Sequence, residues 1–266
     1  MRASRIAASM NGEGDLMFAR PANPISHRLA RLALAIAAAG GLLVGMAGPL
    51  HRYAGVDPAI ALSIFRYGSY IAFAAIALGL ATLVPTRPGD RRRGFLSALL
   101  ALILGGGAAF VPLTWFLKAR NLPAIHDIST DLADPPVFVV TAQLRRGAAN
   151  PAAYSGAETA RLQRAGYPEL LPLKLAVPTD QAFTRVDRAA MELGWEIVAR
   201  APTDGRIEAT VRSPWFGFID DVVIRVRRDG DGSRIDVRSK SRVGQSDLGA
   251  NAARITALLG RVRAGS

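Results

Sequence analysis

The chain has 266 residues, half of them hydrophobic, and 33 Lys and Arg against 21 Asp and Glu give it a formal charge of +12. It contains no cysteine and three histidines, which excludes disulfide scaffolds, thiol chemistry and Cys-based zinc sites and leaves too few ligands for a His-rich metal centre. The strong basic balance suggests a nucleic-acid binder or a protein that meets an anionic membrane.

Dividing the charge along the chain separates these readings. Residues 1–120 carry 13 basic and 4 acidic side chains, residues 121–170 carry 4 and 5, and residues 171–266 carry 16 and 12. Most of the excess therefore lies in the apolar part, whereas a nucleic-acid groove would concentrate charge on the polar folded domain. No nucleic-acid partner is expected.

Residues 1–28 read as a cytoplasmic tail, poorly ordered at its start, with Met17 a second candidate initiator. A membrane region, 29–118, follows. Leu32 to Leu50, Tyr67 to Val84 and Phe95 to Leu117 are uncharged apolar runs of 19, 18 and 23 residues. Helices rising about 1.5 Å per residue cross a hydrocarbon core of about 30 Å at these lengths. The second run extends back to Ala59 if Arg66 snorkels, which gives spans 32–50, 59–84 and 95–117. The first run also has the basic flank and the Ala47-Gly48 pair of a cleavable signal, but it exceeds the usual signal core, and cleavage leaves the side of the C-terminal domain unchanged. Small residues recur four apart, at Ala37, Gly41 and Gly45, at Ala75 and Gly79, and at Ala101, Gly105 and Ala109, a spacing compatible with close helix packing. Gly105–Gly107 and Pro112 are candidate points for a kink in the third span.

Arginines set the orientation. Arg20, Arg28 and Arg31 precede the first span, and Arg87, Arg91, Arg92 and Arg93 lie between the second and third. Positive loops stay inside, so an inner-membrane protein is expected with its N-terminus cytoplasmic and residues 121–266 periplasmic.

Residues 119–170 are rich in Pro, Ala and Asp with little periodicity. They are expected to be an extended connection packed on the domain by Phe138, Tyr154 and Tyr167. Residues 171–266 then show clear periods. Leu171, Leu173, Leu175 and Val177 alternate as a strand. Thr179 is the expected N-cap of a helix with apolar positions Ala182, Phe183, Val186, Ala189, Ala190 and Leu193. Trp195–Arg200 and Arg206–Arg212 are strands around Asp204-Gly205, and Asp220–Arg228 and Arg234–Arg242 are strands around Asp229-Gly230-Asp231-Gly232. Ser246-Asp247 opens a last helix with Leu248, Ala252, Ile255 and Leu259 on one side. Strand, helix, four strands and helix describe a two-layer α+β domain with an antiparallel sheet and both helices on one face, helix-grip-like by analogy.

Strand parity sorts the sheet's faces. Ile207, Ala209, Val211, Val222, Ile224, Val226, Ile235 and Val237 turn inward. Glu208, Thr210, Arg212, Asp221, Arg225, Arg227, Arg234, Asp236, Arg238 and Lys240 turn outward. That face is read either as solvated, with cross-strand ion pairs, or as an anion-binding surface.

Two segments are distinctive: Trp215-Phe216-Gly217-Phe218-Ile219-Asp220-Asp221-Val222-Val223-Ile224-Arg225, and Asp236 to Asn251 followed by Arg254-Ile255. Together with Ile125–Asp131 and Asn150–Tyr154, they resemble the bacterial and plastid family called domain of unknown function 1499, over about 122–264. The resemblance implies an exported domain and assigns no catalytic residue.

Asp220-Asp221 resembles a carboxylate pair, but neighbours on a regular strand point to opposite faces and cannot share a proton. His126 and Asp127 with Asp131 and Asp134 are irregularly spaced and fit Asx-turns better than a metal site. Arg238 to Asp247 reads as a strand turning at Gly244 into a capped helix, or as an anion pocket with Arg242 at a helix N-terminus. Trp215, Phe216 and Phe218 either cap the sheet or form an apolar lip toward the bilayer. The leading expectation is a non-enzymatic envelope protein that binds an anionic lipid, a glycolipid or a partner protein through Arg225, Arg227, Arg238, Arg242, Asp221, Asp247 and Asn251. The alternative is a membrane-anchored hydrolase working through Asp220, Asp221 or His126. No cofactor or metal is expected.

Overall fold

Long stretches with no charged side chain satisfy their backbone groups internally only as helices when no water is near. In the computed structural model, which describes residues 24–87 and 94–265, these stretches form α1 (Pro24–Ala54), α2 (Pro58–Leu83) and α3 (Phe95–Asn121). All three are long and apolar enough to cross a membrane. The tail 1–23 and the Arg91–Arg93 loop lie outside the described residues. The chain divides into one unit of Met1–Ala47 with Leu62–Pro112 and another of Gly48–Ala61 with Leu113–Ser266.

In the first unit, Ala33, Ala37, Ala75 and Ala101 form a buried contact, with Leu34, Ile36 and Leu78 packed around it. A Cβ placed on Gly40 would sit 2.8 Å from the backbone nitrogen of Ala72, and one on Gly68 would sit 2.9 Å from that of Val44. Glycine at those two points lets the backbones of α1 and α2 approach closely. The close contact of α1 with α2 therefore includes Gly40, while a Cβ on Gly41 would meet Ala108 of α3 at 3.8 Å and one on Gly45 would have nothing within 4 Å. α3 continues as one helix through Gly105–Gly107 and Pro112.

The second unit follows the alternation in the sequence. β3 (Glu196–Ala201), β4 (Arg206–Arg212), β5 (Ile219–Asp229) and β6 (Gly232–Ser241) form an antiparallel meander with hairpin turns at Gly205 and Gly230. β2 (Leu173–Leu175) is shorter than its alternating run, and it pairs with Ser233–Ile235 of β6. A further strand, β1 (Asp127–Ser129), pairs with Arg238–Lys240 on the same outer edge. Among the described residues the sheet thus has six strands.

α6 (Thr179–Glu192) and α7 (Ala250–Ala264) lie on one face, where Ala182, Val186, Ala189, Ile255, Leu258 and Val262 meet Ile207, Ala209, Val222, Ile224, Ile235 and Val237. Thr179 is the first helical residue rather than the cap, which is Pro178. α7 begins at Ala250, later than its apolar spacing suggests. Leu248 stands before it at φ 53°, a left-handed conformation that no helix interior tolerates.

The region 119–170 holds more structure than an extended connection. Besides β1 it contains α4 (Val140–Leu144) and α5 (Ala157–Gly166). It also covers the charged sheet face, so that face is not the solvated surface that one of its two readings describes: Glu208, Asp221, Asp236, Arg238 and Lys240 are all buried. Parity placed these residues on the right face, but the segment over them has no periodicity that reveals a cover.

Candidate functional site

Three ion-pair groups occupy the covered face. At its upstream end, Asp127 on β1 lies under Arg238 and Lys240 of β6. Arg238 Nε donates to Asp127 Oδ1 at 2.8 Å and its Nη2 to Oδ2 at 2.9 Å, while Lys240 Nζ stands 3.1 Å from Oδ2. Burial raises the Asp127 carboxyl pKa, but hydrogen bonds and charge from Arg238, and then Lys240, outweigh it, so the group stays ionised below the ordinary carboxylate range. The Arg238 guanidinium lies over the rings of Phe138 and Tyr154, 4.7 and 5.3 Å from their centroids.

Asp221 forms the second group. Arg145, the residue after α4, donates to its Oδ2 at 2.7 Å, and Arg242 donates to both oxygens at 2.9 and 2.8 Å. Arg145 also donates to the carbonyls of Lys240, Asn150 and Ser241. One arginine from a non-repetitive segment thereby ties the cover to two strands. No periodic signal marks Arg145 in the sequence.

The third group is the most open. Arg225, Arg227 and Arg234 converge on Asp131 and Asp236, with Asp134 at the rim. Asp131 Oδ1 accepts the backbone N–H groups of Ala133 and Asp134, an Asx-turn. Burial raises the Asp131 carboxyl pKa, and these N–H groups with Arg234 and Arg225 more than reverse the effect.

The remaining sequence candidates separate. Asp220 faces α7 and pairs with Arg254 at 2.6 Å, while Asp221 faces the cover. The β5–β6 register is continuous through both, so the two acids do not form a dyad. His126 Nδ1 lies 3.2 Å from the Gln245 carbonyl. Among the described residues, no group of three or more His, Cys, Asp or Glu is placed to hold a metal ion. Asp247 accepts the N–H groups of Gly249 and Asn251 ahead of α7, and burial raises its pKa. Arg242 pairs with Asp221 rather than with Asp247. Asn251 is fully buried, accepting from Ser239 Oγ and donating to the His126 carbonyl and to Ser241 Oγ. It locks α7 to β6.

Phe216 and Phe218 stack at 4.8 Å, and Trp215 and Phe216 meet Trp115 near the end of α3 at 6.4 and 5.7 Å. His51, near the end of α1, lies 5.3 Å from Phe218, and Arg52 donates to the Pro214 carbonyl. This aromatic segment is thus packed on helix ends within the second unit.

A feature that sequence reasoning missed lies beside the third ion-pair group. A groove of about 540 Å³ is lined by Leu132, Tyr167, Leu170, Leu171, Pro168 and Pro172, with Arg164, Lys174 and Arg234 against the single acid Asp131. Its residues come from the segment that follows β1, from α5, from β2 with the connection that leads to it, and from β6, so no single motif announces it.

No curated protein matches the sequence. The family model described as "Protein of unknown function (DUF1499)" matches residues 127–262, a span that opens at β1 and closes in α7 and takes in all three ion-pair groups and the groove. With more than half of its length matched, the chain belongs to the DUF1499 family.

Proposed function

We propose that this is an inner-membrane protein of the cell envelope whose C-terminal domain is periplasmic and binds an anionic amphiphile, a lipid or glycolipid. The groove carries this reading. Its volume suits a small ligand, about half of its lining is Leu, Pro and Tyr, and it holds the cations Arg164, Lys174 and Arg234, of which Lys174 pairs with Asp229 and Arg234 with Asp131 and Asp236. Apolar walls suit an acyl or prenyl segment, and the cations suit a phosphate or carboxylate headgroup. The site is thereby moved from the sequence candidates. Arg238 and Asp221 are committed to internal pairs, while Arg225 and Arg227 support the groove through Asp131, which also holds Arg234.

The chain's own connectivity agrees with a ligand taken from a bilayer. Residues 122–126 alone separate the end of α3 from β1, a tether of roughly 20 Å when extended.

The test uses the purified full chain in a neutral detergent, titrated with a short-chain phosphatidylglycerol and with phosphatidylcholine of the same tails. The anionic lipid is expected to bind more tightly. Arg164→Gln with Lys174→Gln is expected to weaken it by roughly 30-fold, at about 1 kcal/mol per cation, and to leave the zwitterionic lipid unchanged. Equal affinity for the two lipids, or no effect of the double variant, refutes the proposal.

A further inference from the structure

Arg66 is the only charged residue within the three spans 32–50, 59–84 and 95–117. Around it α2 buries Phe65, Gly68, Ala72 and Ala75 and leaves Arg66, Tyr67, Tyr70 and Phe73 exposed. Tyr70 and Phe73 follow Arg66 by four and seven residues, so the three share one stripe of the helix. The Arg66 guanidinium lies 5.3 Å from the centroid of the Tyr67 ring, and the rings of Tyr67 and Tyr70 meet edge to face at 6.2 Å. Among the described residues, no hydrogen bond or ion pair engages the Arg66 side chain. The nearest acid along α2, Asp57, accepts the N–H of Ala59 at 2.8 Å.

A cation that faces lipid without a counter-charge is costly deep in a bilayer, so its height decides what it meets. The uncharged run Tyr67–Val84 has 18 residues, about 27 Å of helix, against a hydrocarbon core of about 30 Å. That run fills the core and leaves Arg66 at its border, on the Pro58 side. Helical side chains lean toward the helix N-terminus, so Arg66 reaches out of the core to the level of the lipid phosphates. Tyr70 starts one turn deeper and leans the same way.

We propose that Arg66, Tyr67 and Tyr70 form a site on the outer face of α2 for the phosphate of an anionic phospholipid, with Phe73 beside its acyl chains. The guanidinium donates in a fork to two phosphate oxygens, and the phenol O–H groups donate to the phosphate or to the ester carbonyls beneath it. Charge selects this occupant. α1, α2 and α3 contain no Asp or Glu, so a second copy offers Arg66 no partner. A two-fold axis along the membrane normal would also bring two Arg66 side chains to one depth, cation against cation. The inference rests on reading α2 as a membrane span, and it is independent of the groove and of the orientation of the chain.

Its test uses the purified full chain in phosphatidylcholine vesicles doped with phosphatidylglycerol that carries a diazirine next to its ester groups. A phosphatidylcholine with the same diazirine serves as the comparison, and adducts are mapped by peptide mass spectrometry after irradiation. Phosphatidylglycerol is expected to label residues 60–73 more than phosphatidylcholine does. Arg66→Gln is expected to lower that labelling about 5-fold, and Arg66→Lys to retain more of it than Arg66→Gln. Tyr67→Phe with Tyr70→Phe is expected to lower it about 3-fold. These side chains are exposed, so each variant is expected to keep the wild-type melting temperature. Adducts on residues 164–174 report the groove separately, so either site can fail without the other. Equal labelling of 60–73 by the two lipids, or wild-type labelling in Arg66→Gln, overturns the proposal. So does a Tyr70→Cys variant, in a chain with no other cysteine, that is found mostly as a disulfide-linked pair, because a second copy then covers this face.

Discussion

Asp127 shows how much of the fold rests on one buried carboxylate. It accepts from Arg238, Lys240, and both the amide and the hydroxyl of Ser155, and it lies on the strand that begins the domain. Removing its charge leaves the two buried cations Arg238 and Lys240 without their counter-charge, a change that costs about 3–5 kcal/mol in comparable pairs. Asp127→Asn is therefore expected to lower the melting temperature of the detergent-solubilised chain by roughly 10 °C; a shift under about 2 °C would show that the pair contributes little net stability. The pH dependence follows from the direction of the shift. The folded state holds this carboxyl below its ordinary value of 3.8, so the stabilisation is complete above that value and is lost as pH falls through the lower, folded pKa. Acid melts of wild type are expected to drop below about pH 4, and part of that drop is expected to vanish in Asp127→Asn.

At the scale of elements, Glu208 anchors the cover to the sheet. Its buried carboxylate accepts the N–H groups of Val139, Val140 and Thr141 and the Thr141 hydroxyl, with Arg206 beside it at 3.1 Å. α4 is only five residues long and has no side-chain cap of its own, so a strand residue 67 positions away supplies the cap. Glu208→Gln is expected to cost about 1–2 kcal/mol and to raise amide hydrogen exchange in 138–145 selectively, while β4 and β5 stay protected. Uniform deprotection across the sheet would instead mean that Glu208 stabilises the core rather than α4. The strands were legible from alternation, and β4 spans the residues its pattern indicates. β1 and the cover were not legible, because a three-residue strand carries no period and coil carries none at all. Arg145 and Ser155 sit in such coil, and Lys240 was readable as an outward residue but not as a buried one.

For the whole molecule, the proposed orientation has its own check. A reporter active only in the periplasm, fused after Ser266, is expected to be active, and one fused in the loop between α2 and α3 is expected to be inactive. The reverse pattern refutes the orientation, and the periplasmic reading of the domain with it. The +9 charge of residues 1–120 accounts for most of the basic character, and residues 121–266 carry the remaining +3.

The sequence by itself determined the three long apolar helices, the antiparallel strands, the parity of each sheet face and the family, because hydrophobic length and alternation are local properties of the chain. Only the tertiary structure decided what lies over the charged face, which carboxylate each arginine meets, and how the groove is assembled. These depend on residues up to 111 positions apart brought together by a segment without periodicity, and desolvation beneath that segment turns an apparent surface of cations into a buried, paired interior.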